Sequence, residues 1–223
     1  PILIFKMLII YGAANIQSNF FIKAHCNSVT DEKAIAISFD DGPNAEYTPK
    51  ALATLAEFNA TATFFVIGNN ISGNESLIKK MDASGHTLGN HTFSHSYFID
   101  FKSKTGFMFE LDATSDLVYN IIKKRIKFFR PPYGVKTPNL ARASKALNYE
   151  IIGWNIRSLD TTKDTEEKIA KRVISQVKPG AVILFHDTSS KTVEVLKQTL
   201  NFAKENGFKI VSVEELLKIK AYV

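Results

Sequence analysis

Short apolar runs alternate with amphipathic segments along most of this chain. The apolar runs are rich in β-branched and aromatic side chains and end at Gly, Pro or a charged residue, as buried strands do. They predict seven strands, at 35–39, 60–68, 87–90, 127–129, 150–154, 181–185 and 209–212. The segments with helical periodicity predict helices at 48–58, 75–84, 107–124, 138–147, 165–177, 193–205 and 213–218. This alternation predicts an α/β fold, a distorted (β/α) barrel, complete or incomplete, with seven or eight parallel strands.

The start of the chain fits this alternation less well. Residues 1–10 are apolar except for Lys6, and the run Phe20–Ile22 predicts one further short strand. Ten residues are too few to span a bilayer, so they are either the end of a removed membrane anchor or signal, or an outer strand. No linker or shift in composition divides the rest. We therefore expect one domain overall, with an N-terminal apolar segment and outer strand (1–34) packed on a main part (35–223).

Charge and cysteine content narrow the function classes. The net charge is +6, and the basic residues are scattered apart from a cluster at 123–127. Because aromatic residues are not interleaved with them, they predict a solvated face rather than a nucleic-acid site. A positive surface favours an anionic polymer or the cell envelope as a neighbour, and no stable protein partner is implied. The single cysteine, Cys26, excludes an internal disulfide and any zinc site built on cysteines.

Polar residues gather where the predicted strands end. Strand 35–39 runs directly into Asp40 and Asp41, and Gly42-Pro43 then turns the chain. Other polar residues follow the carboxyl ends of later strands, namely His91, His95, Arg130, Asp160, His186 and Asp187. In a β/α barrel these ends share one face, and active sites are built there. The distribution therefore predicts an enzyme.

Two of these residues have a spacing that suits metal binding. His91 and His95 are four residues apart and would share one face of a helical turn. The pair lacks the glutamate of the HExxH metalloprotease motif. With one aspartate it gives two imidazoles and a carboxylate, which suit zinc and also cobalt, nickel or iron. Non-haem iron oxygenases use the same set, but that alternative predicts a β-rich barrel and an organic co-substrate.

Four motifs occur in order along the chain: Ser38–Pro43 (SFDDGP), His91–His95 (HTFSH), Arg130–Gly134 (RPPYG) and Leu184–Asp187 (LFHD). Together they resemble the motif set of the polysaccharide deacetylases, the NodB-homology carbohydrate esterases of family 4, over about residues 35–212. The resemblance implies that 35–223 is a NodB-like catalytic domain. It implies a hydrolase that uses one divalent metal ion, foremost zinc, to remove acetyl groups from N- or O-acetylated glycans such as peptidoglycan or chitin-like oligomers. It also implies an extracytoplasmic location (secreted, periplasmic or envelope-attached), with attachment through the upstream N-terminus left open.

The resemblance further implies a role for each motif residue. The metal ligands would be Asp41, His91 and His95. The general base would be Asp40 with its partner Arg130, and the general acid would be His186, whose pKa Asp160 tunes. Oxyanion and substrate binding would fall to Pro132, Tyr133 and Leu184. Tyr133 would act through its backbone N–H, and Leu184 would line the pocket for the acetyl methyl. The chemistry agrees, since a divalent ion lowers the pKa of a bound water from about 15.7 to about 7. A neighbouring acid raises the pKa of a histidine, which suits a general acid.

One segment departs from the family pattern. Where many members have Asp-x-x-Asp-Trp, this chain has Arg157-Ser-Leu-Asp160-Thr161. Arg157 adds a cation beside the site, which would contact an anionic sugar or pair with an acid, and Thr161 removes a bulky groove wall. These changes bear on substrate specificity more than on the reaction. A glycan-binding module that has lost activity is the non-enzymatic alternative, but the base, the acid and all three metal ligands are retained.

Overall fold

The computed structural model describes residues 2–223 of the protein, with the side chains of residue 4 and of residues 6–223. The strands are β1 (Ala34–Asp40), β2 (Thr63–Val66), β3 (Thr87–Asn90), β4 (Phe128–Phe129), β5 (Glu150–Ile151), β6 (Ile156–Arg157), β7 (Val182–His186) and β8 (Lys209–Val211). The helices are α1 (Ile2–Ala14), α2 (Tyr47–Glu57), α3 (Glu75–Ala83), α4 (Lys104–Ile122), α5 (Pro138–Ala146), α6 (Glu166–Ile174), α7 (Ser190–Glu205) and α8 (Val213–Leu217). Short 3₁₀ turns lie at Gly68–Asn70, Ile99–Phe101 and Pro132–Gly134.

All eight strands belong to one parallel sheet. Its order is β5-β4-β3-β2-β1-β7-β6, and β8 pairs with the first half of β1. The sheet curls like a barrel, but β5 and β6, at its two ends, do not pair with each other in the described chain. The fold prediction, a distorted and incomplete (β/α) barrel with parallel strands, is confirmed.

Strand β1 lies at the centre of this sheet and is buried along its whole length. Because side chains alternate along a strand, its residues divide between the two faces. Ile35, Ile37 and Phe39 pack in the layer between the sheet and the outer helices. Ala36 belongs to the inner core, and Asp40 continues that inner set at the carboxyl end. The register aligns Asp40 with His186 of β7, so two candidate catalytic residues leave the sheet side by side.

The start of the chain differs from the prediction. Residues 2–14 form helix α1 rather than an outer strand, and Phe20–Ile22 is not a strand. The open edge is occupied instead by residues 25–27, where His25 bridges to Ile152 and Asn27 to Ala181. A helix satisfies its own backbone hydrogen bonds, so the first residues need no sheet partner. No helix in the described part of the chain combines the length and hydropathy that crossing a bilayer requires.

Helix α1 is fastened to the domain through Lys136. This lysine is fully buried, and its ammonium group donates hydrogen bonds to the carbonyls of Ile16 (2.9 Å), Ser18 and Ile22 (3.4 Å). Its backbone N–H donates to the carbonyl of Ala13 at 3.0 Å. The end of α1 and the segment after it are therefore held against the loop that follows β4.

Strand β6 is not among the strands that the sequence predicts. It has only two residues and follows β5 after four residues, with no helix between them. A two-residue strand has no readable periodicity. Its pairing with Ile183 and Leu184 of β7 defines it, and the sequence does not display that contact.

Candidate active site

A cavity of about 380 Å³ opens at the carboxyl ends of the strands. It brings together most of the residues that the motifs predicted. Its lining consists of Asp40, Asp41, His91, His95, Tyr97, Tyr133, Trp154, Arg157, Thr161, Leu184 and His186. Three other predicted residues, Arg130, Pro132 and Asp160, are buried behind this lining.

Asp41, His91 and His95 converge at one point of the cavity. Oδ1 of Asp41 lies 3.5 Å from Nε2 of His91 and 3.5 Å from Nε2 of His95. These separations exceed the usual hydrogen-bond range of about 2.7–3.2 Å. They match two ligands of one tetrahedral zinc ion, which lie about 3.3–3.6 Å apart for bonds of about 2.0–2.2 Å. The donor set therefore fits a divalent transition metal.

The orientation of His91 supports the same use. Its Nδ1 lies 2.7 Å from the carbonyl oxygen of Arg130. The ring N–H at Nδ1 donates to that carbonyl, which leaves the lone pair of Nε2 directed toward Asp41 and His95. Metal-binding histidines are commonly held in this way.

Charges within the cluster shift its pKa values. Burial raises the pKa of Asp41, but its close contact with His91 and the charges of three histidines outweigh burial and lower this pKa to about 2. Burial lowers the pKa of His91, but the charges of Asp40 and Asp41 outweigh it and raise that pKa. Burial and the charge of His91 lower the pKa of His95. Asp41 is therefore ionised at neutral pH, as a metal ligand must be.

The loop that carries the two histidines is not the helical turn that their spacing predicted. Residues 91–96 lie in irregular backbone after β3, and both Thr92 (φ 68°) and His95 (φ 45°) are in the left-handed region. The imidazole centroids are nevertheless 4.8 Å apart. Tertiary contacts bring the rings together here, and helical periodicity does not.

Glu110 of α4 supplies the main contacts to this loop. Its side chain is buried and accepts hydrogen bonds from the backbone N–H groups of Phe93 (3.0 Å) and Ser94 (2.7 Å). Ser94 Oγ donates a third at 2.8 Å, and Lys102 forms an ion pair at 3.0 Å. The motifs did not predict a role for Glu110. Glu110 lies between Phe107 and Leu111 on the apolar face of α4, and a carboxylate in that position indicates a buried hydrogen-bond partner.

Asp40 differs from Asp41 in its surroundings. Only 3% of Asp40 is exposed, and its Oδ1 accepts a hydrogen bond from Nη1 of Arg130 at 2.8 Å. Arg130 is fully buried and also donates to Ser38 Oγ and to the carbonyls of Ile152 and Gly153. Its guanidinium group lies over the ring of Phe65. The second oxygen of Asp40 is 3.8 Å from Nε2 of His91 and lines the cavity beside the cluster of Asp41, His91 and His95.

His186 stands at the end of β7 and is paired with Asp160. Its Nδ1 is 2.8 Å from Asp160 Oδ1, and its backbone N–H donates to Oδ2 at 2.8 Å. Ser158 and Thr192 also donate to this buried carboxylate. Burial lowers the pKa of His186, but the hydrogen bond and charge of Asp160 outweigh it and, with Asp40 and Asp41, raise this pKa to about 9. The ring is therefore protonated at neutral pH, with Nε2 free to donate.

Asp187 does not cap the helix that follows it, since Ser189 is the N-cap of α7. Its buried carboxylate instead accepts a hydrogen bond from Thr48. A Cβ on Gly42 would lie 2.5 Å from Asp187 Oδ2, so only glycine fits there. Burial raises the pKa of Asp187 to about 7. Asp187 thus packs directly beneath the turn that follows the two aspartates.

Tyr133 and Leu184 lie on the rim and floor of the cavity. Tyr133 has a left-handed backbone (φ 58°), and its ring lies 4.9 Å from that of His95 and stacks at 6.1 Å on Tyr97. Leu184, 2% exposed, gives the cavity an apolar floor. Arg157 is exposed, lies over the ring of Trp154 at 5.8 Å and pairs with no acid in the described structure.

Comparison with known proteins identifies the family. The sequence profile described as "Polysaccharide deacetylase" matches residues 27–152. The chain belongs to the polysaccharide deacetylase family. The matched residues include the first three motifs, while Asp160 and His186 follow them in the chain.

Two curated relatives and one solved structure cover most of the chain. Peptidoglycan-N-acetylmuramic acid deacetylase PdaA of Bacillus subtilis is 34% identical, over 84% of this chain and 73% of its own length. A peptidoglycan-N-acetylglucosamine deacetylase of Bacillus cereus is also 34% identical, over 85% of this chain and 91% of its own. The crystal structure of the Bc1960 peptidoglycan N-acetylglucosamine deacetylase superposes with a TM-score of 0.83, 27% identity and coverage of 88% and 93%.

These findings confirm the predicted class. The chain is a carbohydrate esterase with a NodB-homology fold, a hydrolase that removes acetyl groups from glycans. The iron-oxygenase alternative required a β-rich barrel, whereas this sheet is parallel and interleaved with helices. The inactive binding-module alternative required the loss of a site residue, and all of them line or adjoin one cavity.

Proposed function

We propose that this deacetylase hydrolyses the acetamido group of N-acetylated amino sugars in peptidoglycan or chitin-like glycans. One observation carries the proposal: a metal-binding triad, a buried acid–arginine pair and a protonated histidine border the same cavity. An amide needs a nucleophile, a site for the oxyanion and a proton for the departing nitrogen. Each of these three needs has a separate group here.

The metal would be held by Asp41, His91 and His95. When bound, it would polarise the acetyl carbonyl and acidify a water molecule. Two imidazoles and one carboxylate, with coordination positions left open, match catalytic zinc sites most closely. Cobalt, nickel and iron accept the same donors, so zinc is the first metal to test.

Asp40 is the proposed general base. Its Oδ1 pairs with Arg130, and its other oxygen lies beside the triad. It would take the proton from the attacking water as that water adds to the carbonyl carbon. The oxyanion that forms would accept a hydrogen bond from the N–H of Tyr133, which has no partner outside its own short turn in the described structure. Pro132 and Tyr133 shape this wall, and Leu184 contacts the acetyl methyl.

His186 is the proposed general acid. With Nδ1 engaged by Asp160, Nε2 carries the proton that passes to the amine nitrogen as the carbon–nitrogen bond breaks. Acetate and the free amino sugar are the products. The cell wall is the substrate of the curated relatives, which supports an extracytoplasmic site of action for this protein.

Acetate release from a panel of acetylated glycans tests the proposal. The protein should release acetate from N-acetylglucosamine oligomers or glycan strands, lose this activity when a chelator removes metal, and recover it when zinc is added back. The control is a protein sample that passes through the same treatment and wash but keeps its metal. Release that is indifferent to chelation, or no release from any substrate, would contradict the proposal.

A further inference from the structure

A second cavity adjoins the candidate active site. It also measures about 380 Å³ and shares Tyr133, Trp154 and Arg157 with the first. Its opposite wall is the carboxyl end of α1 and the turn after it, including Tyr11, Asn15 and Gln17. The two cavities therefore form one groove that passes Arg157.

Among the residues that the structure describes, Arg157 is the only charged one that lines this second cavity. Its side chain is exposed, and no acid lies within ion-pair distance in the described part of the chain. Trp154 lies 5.8 Å beneath the guanidinium group and limits the positions that it samples. An unpaired arginine against an aromatic surface is suited to bidentate contact with a carboxylate.

The opposite wall is held in place. The fully buried Lys136 ties the carbonyls of Ile16, Ser18 and Ile22 to the domain, as described above. Asn15 donates a hydrogen bond to the Tyr11 hydroxyl at 2.9 Å, which fixes the tyrosine ring at the edge of the groove. Exposed aromatic rings and amides of this kind suit a sugar ring, which has apolar faces and a hydroxyl rim.

We propose that this second cavity binds a carboxylate-bearing sugar next to the sugar being deacetylated, with Arg157 pairing with its carboxylate. The inference rests on the proposed function, because it assumes that a glycan occupies the active-site cavity. It specifies the substrate class further, as a glycan in which an acetamido sugar neighbours an acidic one. A neutral chitin-like oligomer would leave Arg157 without its partner.

Two kinds of glycan supply this chemistry. In one, the carboxylate is the lactyl group of a muramoyl residue without its peptide. In the other, it belongs to a uronic acid that alternates with N-acetylglucosamine. The test therefore compares stem-free peptidoglycan strands, N-acetylglucosamine–glucuronate oligomers and neutral N-acetylglucosamine oligomers of matched length.

The decisive variant is Arg157→Gln, measured for both kcat/KM and direct binding. We expect the preference for the better acidic glycan over the neutral one to fall about tenfold, the loss of one charge-assisted contact. Lys163→Gln is the matched control, since it removes one positive charge from an exposed residue of the loop that follows β6, and this residue lines neither cavity. It should leave that preference unchanged.

Binding, measured on metal-free and zinc-loaded protein, separates the two proposals. If wild-type protein deacetylates no glycan, the proposed function fails, yet an Arg157-dependent preference in binding would still support the second cavity. If Arg157→Gln and Lys163→Gln keep the wild-type preference in binding and in kcat/KM, the second cavity does not bind a carboxylate-bearing sugar. Whichever acidic glycan loses affinity in Arg157→Gln identifies the source of the carboxylate.

Discussion

At the scale of single residues, adjacent aspartates have opposite surroundings because of strand geometry. Asp40 is the last residue of β1 and follows its inward-facing set, where it meets the buried Arg130. Asp41 leaves the strand with a left-handed backbone (φ 74°) and turns toward the histidines. The sequence predicted two acids at a strand end. It could divide their roles only through the resemblance, because a one-residue change of direction is not visible in a pattern.

The pKa of the proposed general acid, His186, also depends on one neighbouring residue. Substituting Asp160→Asn removes the negative charge that holds the pKa of His186 at about 9. This pKa should fall, because the charge of Asp160 then no longer offsets burial, which lowers it. A general acid works only below its pKa, so the alkaline limb of the kcat/KM–pH profile should move to lower pH.

A neighbouring acid provides the control for that profile. Asp164→Asn removes a carboxylate from the same loop as Asp160, which pairs with Lys168 and Arg172 of α6 and does not contact His186. Its alkaline limb should coincide with that of the wild type. An Asp160→Asn profile with an unmoved alkaline limb would exclude His186 as the group that titrates there.

At the scale of elements, the loop between β3 and α4 shows where sequence reasoning stops. The spacing of His91 and His95 correctly predicted that the rings meet, but for the wrong reason. Their loop takes its shape from Glu110, which lies sixteen residues or more away from the atoms that it binds. Contacts across such a distance leave no periodicity to read. The strands and helices from β1 onward, apart from β6, depend on local patterns and were predicted with small errors at their ends.

Glu110→Gln tests this support. The glutamine keeps one oxygen for the backbone N–H groups of Phe93 and Ser94, but it replaces Oε1, which accepts from Ser94 Oγ and pairs with Lys102, by an NH₂ donor. The loop should therefore loosen and shift His95. Zinc affinity should fall by about 10- to 100-fold, the range for the loss of an outer-shell partner. Competition with a chromophoric chelator measures it.

The control for Glu110→Gln lies on the same helix. Asp116→Asn removes an exposed carboxylate whose partner is Arg125 at the surface. It should leave zinc affinity unchanged. Equal zinc affinities for Glu110→Gln and the wild type would show that the loop holds its ligands without Glu110.

At the scale of the whole molecule, the alternation of strands and helices was enough to predict the barrel and the face that carries the site. It was not enough for residues 1–34. Their apolar composition fits a helix or a strand equally well, and occupancy of the sheet edge by residues 25–27 decides between them. Residues distant in sequence, such as Lys136 and Ile16, then join this segment to the groove. Whether 1–34 and 35–223 act as one domain remains a prediction.

The two adjacent aspartates divide the roles of general base and metal ligand in the proposed mechanism. Metal content and turnover should therefore be measured together for Asp40→Asn and Asp41→Asn. Asp40→Asn should bind zinc as the wild type does while turnover falls by a factor of about 10² or more, the usual loss for a general base. Asp41→Asn should lose zinc affinity by more than about 100-fold, beyond the effect of losing an outer-shell partner. If Asp40→Asn loses the metal, or if it retains full turnover, the assignment of base and ligand is wrong.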